Sequence, residues 1–207
     1  MKYFLYIIIS VLFFYSCSYP IRKGYSKAEY KEVSVLKSDF KKVVYRTSID
    51  VYGKHFSGIM VIKKIEKDTS YRLVFLSELG MKIFDFEFNN NLKDQFKIHQ
   101  ILEPINKKLL INTLRQDFEL FLKLYPKNIT STSYISDNST IEKIKYNGLN
   151  NYYIFNNDSN YVTSILQKGW LFKKLIISNT GYSNNSPDNV NFTHKGINLI
   201  INLSKIR

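Results

Sequence analysis

Between Lys42 and Leu102 the sequence alternates apolar segments with short turn-forming stretches, which leaves few folds open to it. The clearest segment is FDFEF, in which Phe84, Phe86 and Phe88 alternate with acidic residues. Because successive side chains of a strand point to opposite faces, this alternation predicts a strand with one buried face. The segments predicted as strands are Lys42–Tyr52, His55–Glu66, Ser70–Ser77, Met81–Phe88 and Gln95–Leu102. We therefore expect a meander of antiparallel strands.

The hydrophobic period changes after Pro104. Between Asn106 and Tyr125 the apolar residues recur every three or four positions, which predicts an amphipathic helix that ends before Pro126. A rougher stripe of the same period predicts another helix over Tyr25–Ser38. The chain is therefore expected to carry two helices in addition to its strands.

Strand-like segments resume in the last third of the chain. They are Ile141–Tyr146, Asn151–Phe155, Tyr161–Leu166, Trp170–Ser178, Val190–His194 and Ile197–Leu203. Two stretches rich in Ser, Asn and other polar residues, Lys127–Thr140 and Gly181–Asn189, are predicted as loops. Together these elements predict one α+β domain, built from a large curved antiparallel β-sheet with helices packed on one side.

The N-terminus has the form of an export signal. A lysine at position 2 precedes the apolar segment Phe4–Phe14, which is too short to span a bilayer comfortably as a helix. The small residue Ser16 then precedes Cys17, the single cysteine, which cannot form an internal disulfide. This arrangement resembles the bacterial lipoprotein signal, in which the peptide is cut before a cysteine that is acylated on its sulfur. The alternative is an uncleaved anchor with an incidental cysteine.

The resemblance to a lipoprotein signal implies a division of the chain and a location. Residues 1–16 would be the signal peptide, residues 17–24 a lipidated tether, and residues 25–207 the folded domain. Lipoprotein signals often use aspartate directly after the cysteine for inner-membrane retention, and this chain has Ser18 there. We therefore expect an outer-membrane lipoprotein that faces the periplasm.

The charge pattern argues against a nucleic-acid partner. The formal net charge is +13, but the lysines are scattered along the chain and form no recognised nucleic-acid motif. The side chains of Asp85 and Glu87 share one face of their predicted strand, and we expect that face to be the solvent side. The alternative is a pair of carboxylates that act together.

No catalytic or metal-binding pattern stands out. The histidines His55, His99 and His194 lie in predicted strands or at their ends, and none belongs to an HExxH or CxxC motif. We expect them to be polar residues that face outward. The GKHFSG stretch, residues 53–58, lacks the Lys-Ser/Thr pair of a phosphate loop, and Ser57 has no GxSxG elbow around it. We expect no enzyme activity, no cofactor and no metal.

Three stretches carry a resemblance to a known family. SYRLVFLSELGMKIFDFEF, residues 70–88, is similar to a Tyr-Arg-Leu-rich strand, a Leu-Gly turn and an alternating strand of the LolA/LolB lipoprotein localisation factors. INTLRQDFELFL, residues 111–122, resembles the helix with a Leu-Arg pair that follows the first half of their sheet. PDNVNFTHKGINLIINLSKI, residues 187–206, resembles their closing hairpin.

The resemblance implies an incomplete barrel with helices covering its concave face and an apolar cavity for acyl chains. Aromatic residues available to line such a cavity are Tyr71, Phe75, Phe84, Phe86, Phe88, Trp170 and Phe172. The alternative for each of them is an ordinary place in the core.

The resemblance also assigns a role to the turn that contains Leu79 and Gly80. Leu79 matches the exposed leucine that LolB-type receptors insert into the membrane to deliver their cargo. Tight turns normally carry Gly, Asn or Asp, and a leucine there has little sheet to pack against. Met81 and Lys82 would extend the same tip towards the apolar and charged parts of a lipid surface. The alternative is that Leu79 folds back under a helix.

The function expected from these features is noncovalent. The chain would be a membrane-anchored lipoprotein that binds acyl chains of lipoproteins or lipids and delivers them to the outer membrane. Its partners would be those acyl chains, the membrane itself through the lipid anchor, and a periplasmic carrier protein. The first alternative is a scaffold lipoprotein without a cavity that binds a protein partner; the second is an envelope enzyme.

Overall fold

The computed structural model of the protein describes residues 24–29, 33–65, 70–89, 96–126, 129–159, 161–169 and 173–206. Cys17, Trp170 and Phe172, which the sequence marked for lipidation and for a cavity, lie outside these residues. The described part contains thirteen strands, one α-helix and a short 3-10 turn over Glu103–Ile105.

The strands, in chain order, are β1 Ser26–Ala28, β2 Lys42–Val51, β3 Lys54–Ile65, β4 Ser70–Ser77, β5 Lys82–Phe88, β6 Phe96–Ile101, β7 Ser131–Ile135, β8 Ser139–Tyr146, β9 Leu149–Asn156, β10 Val162–Lys168, β11 Lys173–Ser183, β12 Ser186–His194 and β13 Leu199–Lys205. The helix, α1, spans Lys108–Phe121.

All thirteen strands form one antiparallel sheet in the order β1-β7-β8-β9-β10-β11-β12-β13-β2-β3-β4-β5-β6. Almost every strand pairs with its neighbour in sequence, as short turns require. The exception that joins the two halves is the pairing of the last strand, β13, with β2. The sheet is not closed into a barrel. The predicted fold class, a large antiparallel sheet with helical cover, is confirmed.

Alternation of side chains gives the sheet a buried face and an outer face. In β2 the buried residues are Val43, Tyr45, Thr47, Ile49 and Val51, with more exposed residues between them. The neighbouring strands β12 and β13 continue the same buried row, because cross-strand partners point to the same side.

Helix α1 packs on the buried face, which we call the helix-covered face. Its buried residues recur at helical spacing, and the rings of Phe118 and Phe121 lie 5.6 and 5.7 Å from the ring of Phe192 in β12. At the other side of the helix, the guanidinium of Arg115 lies 5.4 Å from the ring centre of Phe96 in β6. The helix predicted between Asn106 and Tyr125 is confirmed with shorter ends.

The helix predicted over Tyr25–Ser38 is wrong in its described part. Residues 26–28 form strand β1, which pairs with β7, and residues 33–38 are irregular. Val33 and Val35 are both buried although they are two positions apart, a spacing that would place them on different faces of a helix. The irregular chain instead turns both side chains into the core. A stripe without capping residues was too weak a signal for a helix.

Two predicted loops contain strands. Within Lys127–Thr140, the strand β7 forms with few apolar residues, because it pairs with β8 along its whole length. Within Gly181–Asn189, strands β11 and β12 continue to a two-residue turn at Asn184 and Asn185, whose φ angles are +45° and +68°. Asparagine tolerates this conformation well, so a long polar stretch closes as a tight hairpin.

Candidate functional site

The turn between β4 and β5 is tight and presents its side chains to solvent. Ser77 N–H donates to the Met81 carbonyl at 2.8 Å, and Gly80 N–H donates to the Ser77 carbonyl at 2.9 Å. Gly80 has a φ of +79°, a conformation that glycine adopts without strain. The Ser57 hydroxyl of β3 fixes one side of the turn by donating to the Glu78 carboxylate at 2.8 Å.

Leu79 stands at the tip of this turn with 86% of its surface exposed, and Met81 beside it is 57% exposed. The alternative in which Leu79 folds back under a helix is therefore wrong. We call Leu79, Gly80 and Met81 the apolar tip. Other exposed apolar side chains lie towards this end of the sheet, namely Tyr52 in the β2–β3 turn, Ile59 in β3 and Ile200 in β13.

Lys82, next to the apolar tip, has a partner within the protein. Its amine lies 3.1 Å from the Asp85 carboxylate, which Arg72 also binds through two hydrogen bonds of 2.8 and 3.0 Å. The Arg72 guanidinium holds the pKa of Asp85 below its usual range. Asp85 was expected on the solvent side; it is on the outer face but buried, because these two cationic side chains cover it.

The candidate cavity residues that the structure describes come together on the helix-covered face. Phe75, Phe84, Phe86 and Phe88 are fully buried, and the Phe84 and Phe86 rings stack at 4.4 Å. Phe96 from β6 closes the group, at 5.1 Å from Phe86 and 5.2 Å from Phe88. A side chain with no accessible surface cannot contact a ligand, so acyl chains reach these rings only if their cover moves.

Polar contacts hold helix α1 to the sheet. The Asp117 carboxylate of α1 lies 3.0 Å from Nε2 of His194, while Nδ1 of the same ring lies 2.9 Å from the Leu199 carbonyl. The Tyr153 hydroxyl of β9 donates to the Leu120 carbonyl at 2.8 Å. These contacts form the clasp between α1 and the sheet.

The clasp carries shifted pKa values. Burial raises the pKa of Asp117, partly offset by the hydrogen bond and charge of His194. Burial alone would lower the pKa of His194, but its contacts with Asp117 raise it above the ordinary value. Because the Leu199 carbonyl can only accept, Nδ1 must carry a proton, and Nε2 needs a second proton to donate to a carboxylate. A protonated histidine paired with Asp117 satisfies both contacts.

His194 was expected to point outward, and the structure places it inward. His55 and His99 do lie on the outer face, paired with Asp50 at 2.6 Å and with Glu87 at 2.7 Å. The sequence held one signal for the difference: Asp117 occupies the apolar face of the predicted helix, where an acid needs a buried partner. The partner itself could not be read from the sequence.

The buried polar groups of the clasp are bonded to one another and to the backbone. Both ring nitrogens of His194 are engaged, and the Tyr153 hydroxyl bonds to the Tyr125 hydroxyl at 2.9 Å as well as to the helix. Among the described residues, no three His, Cys, Asp or Glu side chains are grouped so that they could hold a metal ion. In the same part of the chain, no helix is long and apolar enough to cross a membrane.

A small pocket opens beside the end of α1. It has a volume of about 250 Å³ and is lined by Leu120 and Tyr125 from the helix side and by Asn151 and Gln167 from the sheet. This volume is below the roughly 300–1,000 Å³ typical of small-molecule sites.

No model of a known protein family matches the chain, and no curated protein matches it.

Proposed function

We propose that this protein is a membrane-anchored lipoprotein that docks on lipid through its apolar tip and delivers acyl chains of lipoproteins or lipids to the outer membrane. The observation that carries the proposal is the 86% exposure of Leu79, at the end of a turn held by hydrogen bonds on both sides. An apolar side chain in such a place has no folded-state contact to lose on entering a bilayer.

The energy available to the tip suits a docking role. Burying a leucine or methionine side chain contributes roughly 1.5–3 kcal/mol. This is too little to hold a protein on a membrane but enough to orient one that is already tethered by acyl chains on Cys17. Each buried methylene of such an anchor contributes about 0.8 kcal/mol.

The helix-covered face is the proposed acyl-chain site. Five of its aromatic candidates are described: Phe75, Phe84, Phe86 and Phe88 are fully buried on the same face of the sheet as α1, and Tyr71 is half-buried against the same core. An acyl chain would reach this face after α1 is displaced, and it would also replace the contacts that Phe118 and Phe121 make with Phe192. Opening the clasp at Asp117 and His194 is then the step that admits a client, handed over by a periplasmic carrier.

Transfer of a labelled lipoprotein into liposomes tests the proposal. We expect Leu79→Glu to fold and to be acylated normally but to transfer poorly, because a carboxylate resists entry into hydrocarbon. Ile206→Glu is the matched control: Ile206 is 41% exposed and lies at the opposite end of the strands. Equal transfer by wild type and Leu79→Glu would contradict the proposal.

The full burial of the four phenylalanine rings favours a second candidate, a scaffold lipoprotein that binds a protein partner and holds no lipid. A fluorescent fatty-acid probe separates the two candidates. Saturable binding that Phe86→Trp weakens supports acyl-chain binding, and a complete lack of binding by the wild type supports the scaffold.

A further inference from the structure

The outer face of the sheet carries two polar rows that cross five strands. The first row joins cross-strand partners in register, namely Ser178, Asn191, Asn202, Ser48 and Ser57. The second row lies two residues further along each strand and consists of Thr180, Asn189, Ser204, Arg46 and Ile59. We call these ten residues the polar rows.

The chemistry of the polar rows differs from that of the chain as a whole. Eight of the ten residues are Ser, Thr or Asn, and Arg46 is the single charged one. The whole chain carries 30 Lys and Arg and 17 Asp and Glu in 207 residues, and exposed strand positions are where such side chains usually reside. A surface of hydroxyl and amide groups does not attract a phosphate polymer, and it offers both donors and acceptors to an uncharged ligand.

Hydrogen bonds hold the side chains of the rows in place. The Asn191 side-chain amide donates to Oδ1 of Asn202 at 2.5 Å, and the Asn202 side-chain amide donates to the Ser48 hydroxyl at 3.2 Å. In the second row, the Ser204 hydroxyl donates to Oδ1 of Asn189 at 3.0 Å. Each amide nitrogen has two hydrogens, so these contacts fix its orientation and leave it a further donor. Such preorganisation lowers the entropy that a ligand must remove on binding.

The rows lie in a groove with a volume of about 750 Å³. Ile59 and Ile206 contribute apolar surface to it, and Asn189, Asn191 and Asn202 contribute amides. Neighbouring strands are about 4.8 Å apart, so the five positions of a row span about 19 Å. In an extended chain of equatorially linked hexoses, the distance from one ring to the next is nearly the same as the distance between neighbouring strands. Its rings carry hydroxyls at their edges and C–H groups on their faces, which matches polar rows beside apolar patches.

We propose that this groove binds an uncharged glycan chain, laid across strands β11, β12, β13, β2 and β3 with about one sugar ring per strand. Asn191 and Asn202 would bond the hydroxyls of the central rings. The site is on the opposite face of the sheet from α1, so it is independent of acyl-chain binding.

Titration of the full-length chain by nuclear magnetic resonance tests the proposal, in a zwitterionic detergent that contains no sugar. The probes are cellotetraose and chitotetraose, which are extended, and maltotetraose, whose linkage curves the chain. We expect saturable shifts of the side-chain amide signals of Asn189, Asn191 and Asn202 with an extended probe, and at least tenfold weaker binding of maltotetraose. Chitotetraose binding more tightly than cellotetraose would identify an acetamido sugar as the ligand.

The double variant Asn191→Ala, Asn202→Ala should weaken binding of the extended probe at least tenfold. Asn106→Ala, which removes an exposed amide near the start of α1, is the matched control and should bind as wild type. If the double variant loses its dispersed spectrum, Thr180→Ala replaces it, because this exposed residue lies at the end of its row. The absence of saturable shifts with every probe, or shifts confined to residues outside the rows, would overturn the proposal.

Discussion

Replacing Phe86 with alanine measures whether the aromatic group under α1 is close-packed core or the wall of an open cavity. Phe86 has no accessible surface, stacks on Phe84 at 4.4 Å and meets the edge of Phe96 at 5.1 Å. Truncating a phenylalanine in such surroundings removes its transfer free energy and leaves a cavity, which together cost about 3–5 kcal/mol. Lost ring–ring contacts are part of this cost, at about 0.5–1.5 kcal/mol per pair.

Equilibrium unfolding in urea, followed by circular dichroism, gives the free energy of unfolding of wild type, Phe86→Ala and Phe86→Leu. We expect a loss of about 3–5 kcal/mol for alanine and a clearly smaller loss for leucine, which refills most of the space. A loss below about 1 kcal/mol for Phe86→Ala would refute the reasoning, because it would mean that the ring already faces a void. In that case the acyl-chain site is open without movement of α1.

Three further changes have defined outcomes. Gly58→Ala should destabilise the fold by about 3 kcal/mol or more in urea unfolding, since a Cβ there would lie 1.9 Å from the backbone oxygen of Leu76; a wild-type midpoint would contradict this. The contribution of His194 to the free energy of unfolding should be fully present below the ordinary histidine pKa of 6.5 and should fall as the pH rises through its raised pKa, because the ring then loses the proton it donates to Asp117. That decline should be absent in His194→Gln. A decline that persists in this variant would refute the clasp. Cys17→Ala should abolish metabolic labelling by a palmitate analogue, and equal labelling of mutant and wild type would refute the lipid anchor.

The strands from β2 to β6 were predictable because each carries its own signal. In β2 the buried residues alternate strictly, and in β5 the phenylalanines alternate with acidic residues in the sequence, so a local pattern of period two was enough to identify both strands. The exposure of Leu79 was predictable for a similar reason, because a turn of four residues has no room to bury a large side chain. These features depend on neighbours in sequence.

Features that depend on pairing over long distances were missed. Strand β7 has few apolar residues and exists through its partner β8, and the inward position of His194 depends on Asp117, which is 77 residues away. The polar rows were invisible for the same reason. Asn202 and Ser48 become neighbours only through the pairing of β13 with β2, across 154 residues.

The depth of the apolar tip in a bilayer tests the membrane role of the protein most directly. The chain has one tryptophan, so Trp170→Phe provides a background in which Leu79→Trp is the single indole reporter. On vesicles of phosphatidylethanolamine and phosphatidylglycerol that contain brominated acyl chains, we predict strong quenching of the Leu79→Trp fluorescence. Ile206→Trp in the same background is the control, because Ile206 is 41% exposed and lies at the opposite end of the strands, and its fluorescence should remain unquenched. Fluorescence of Leu79→Trp that is as insensitive to brominated lipid as that of Ile206→Trp would contradict the account.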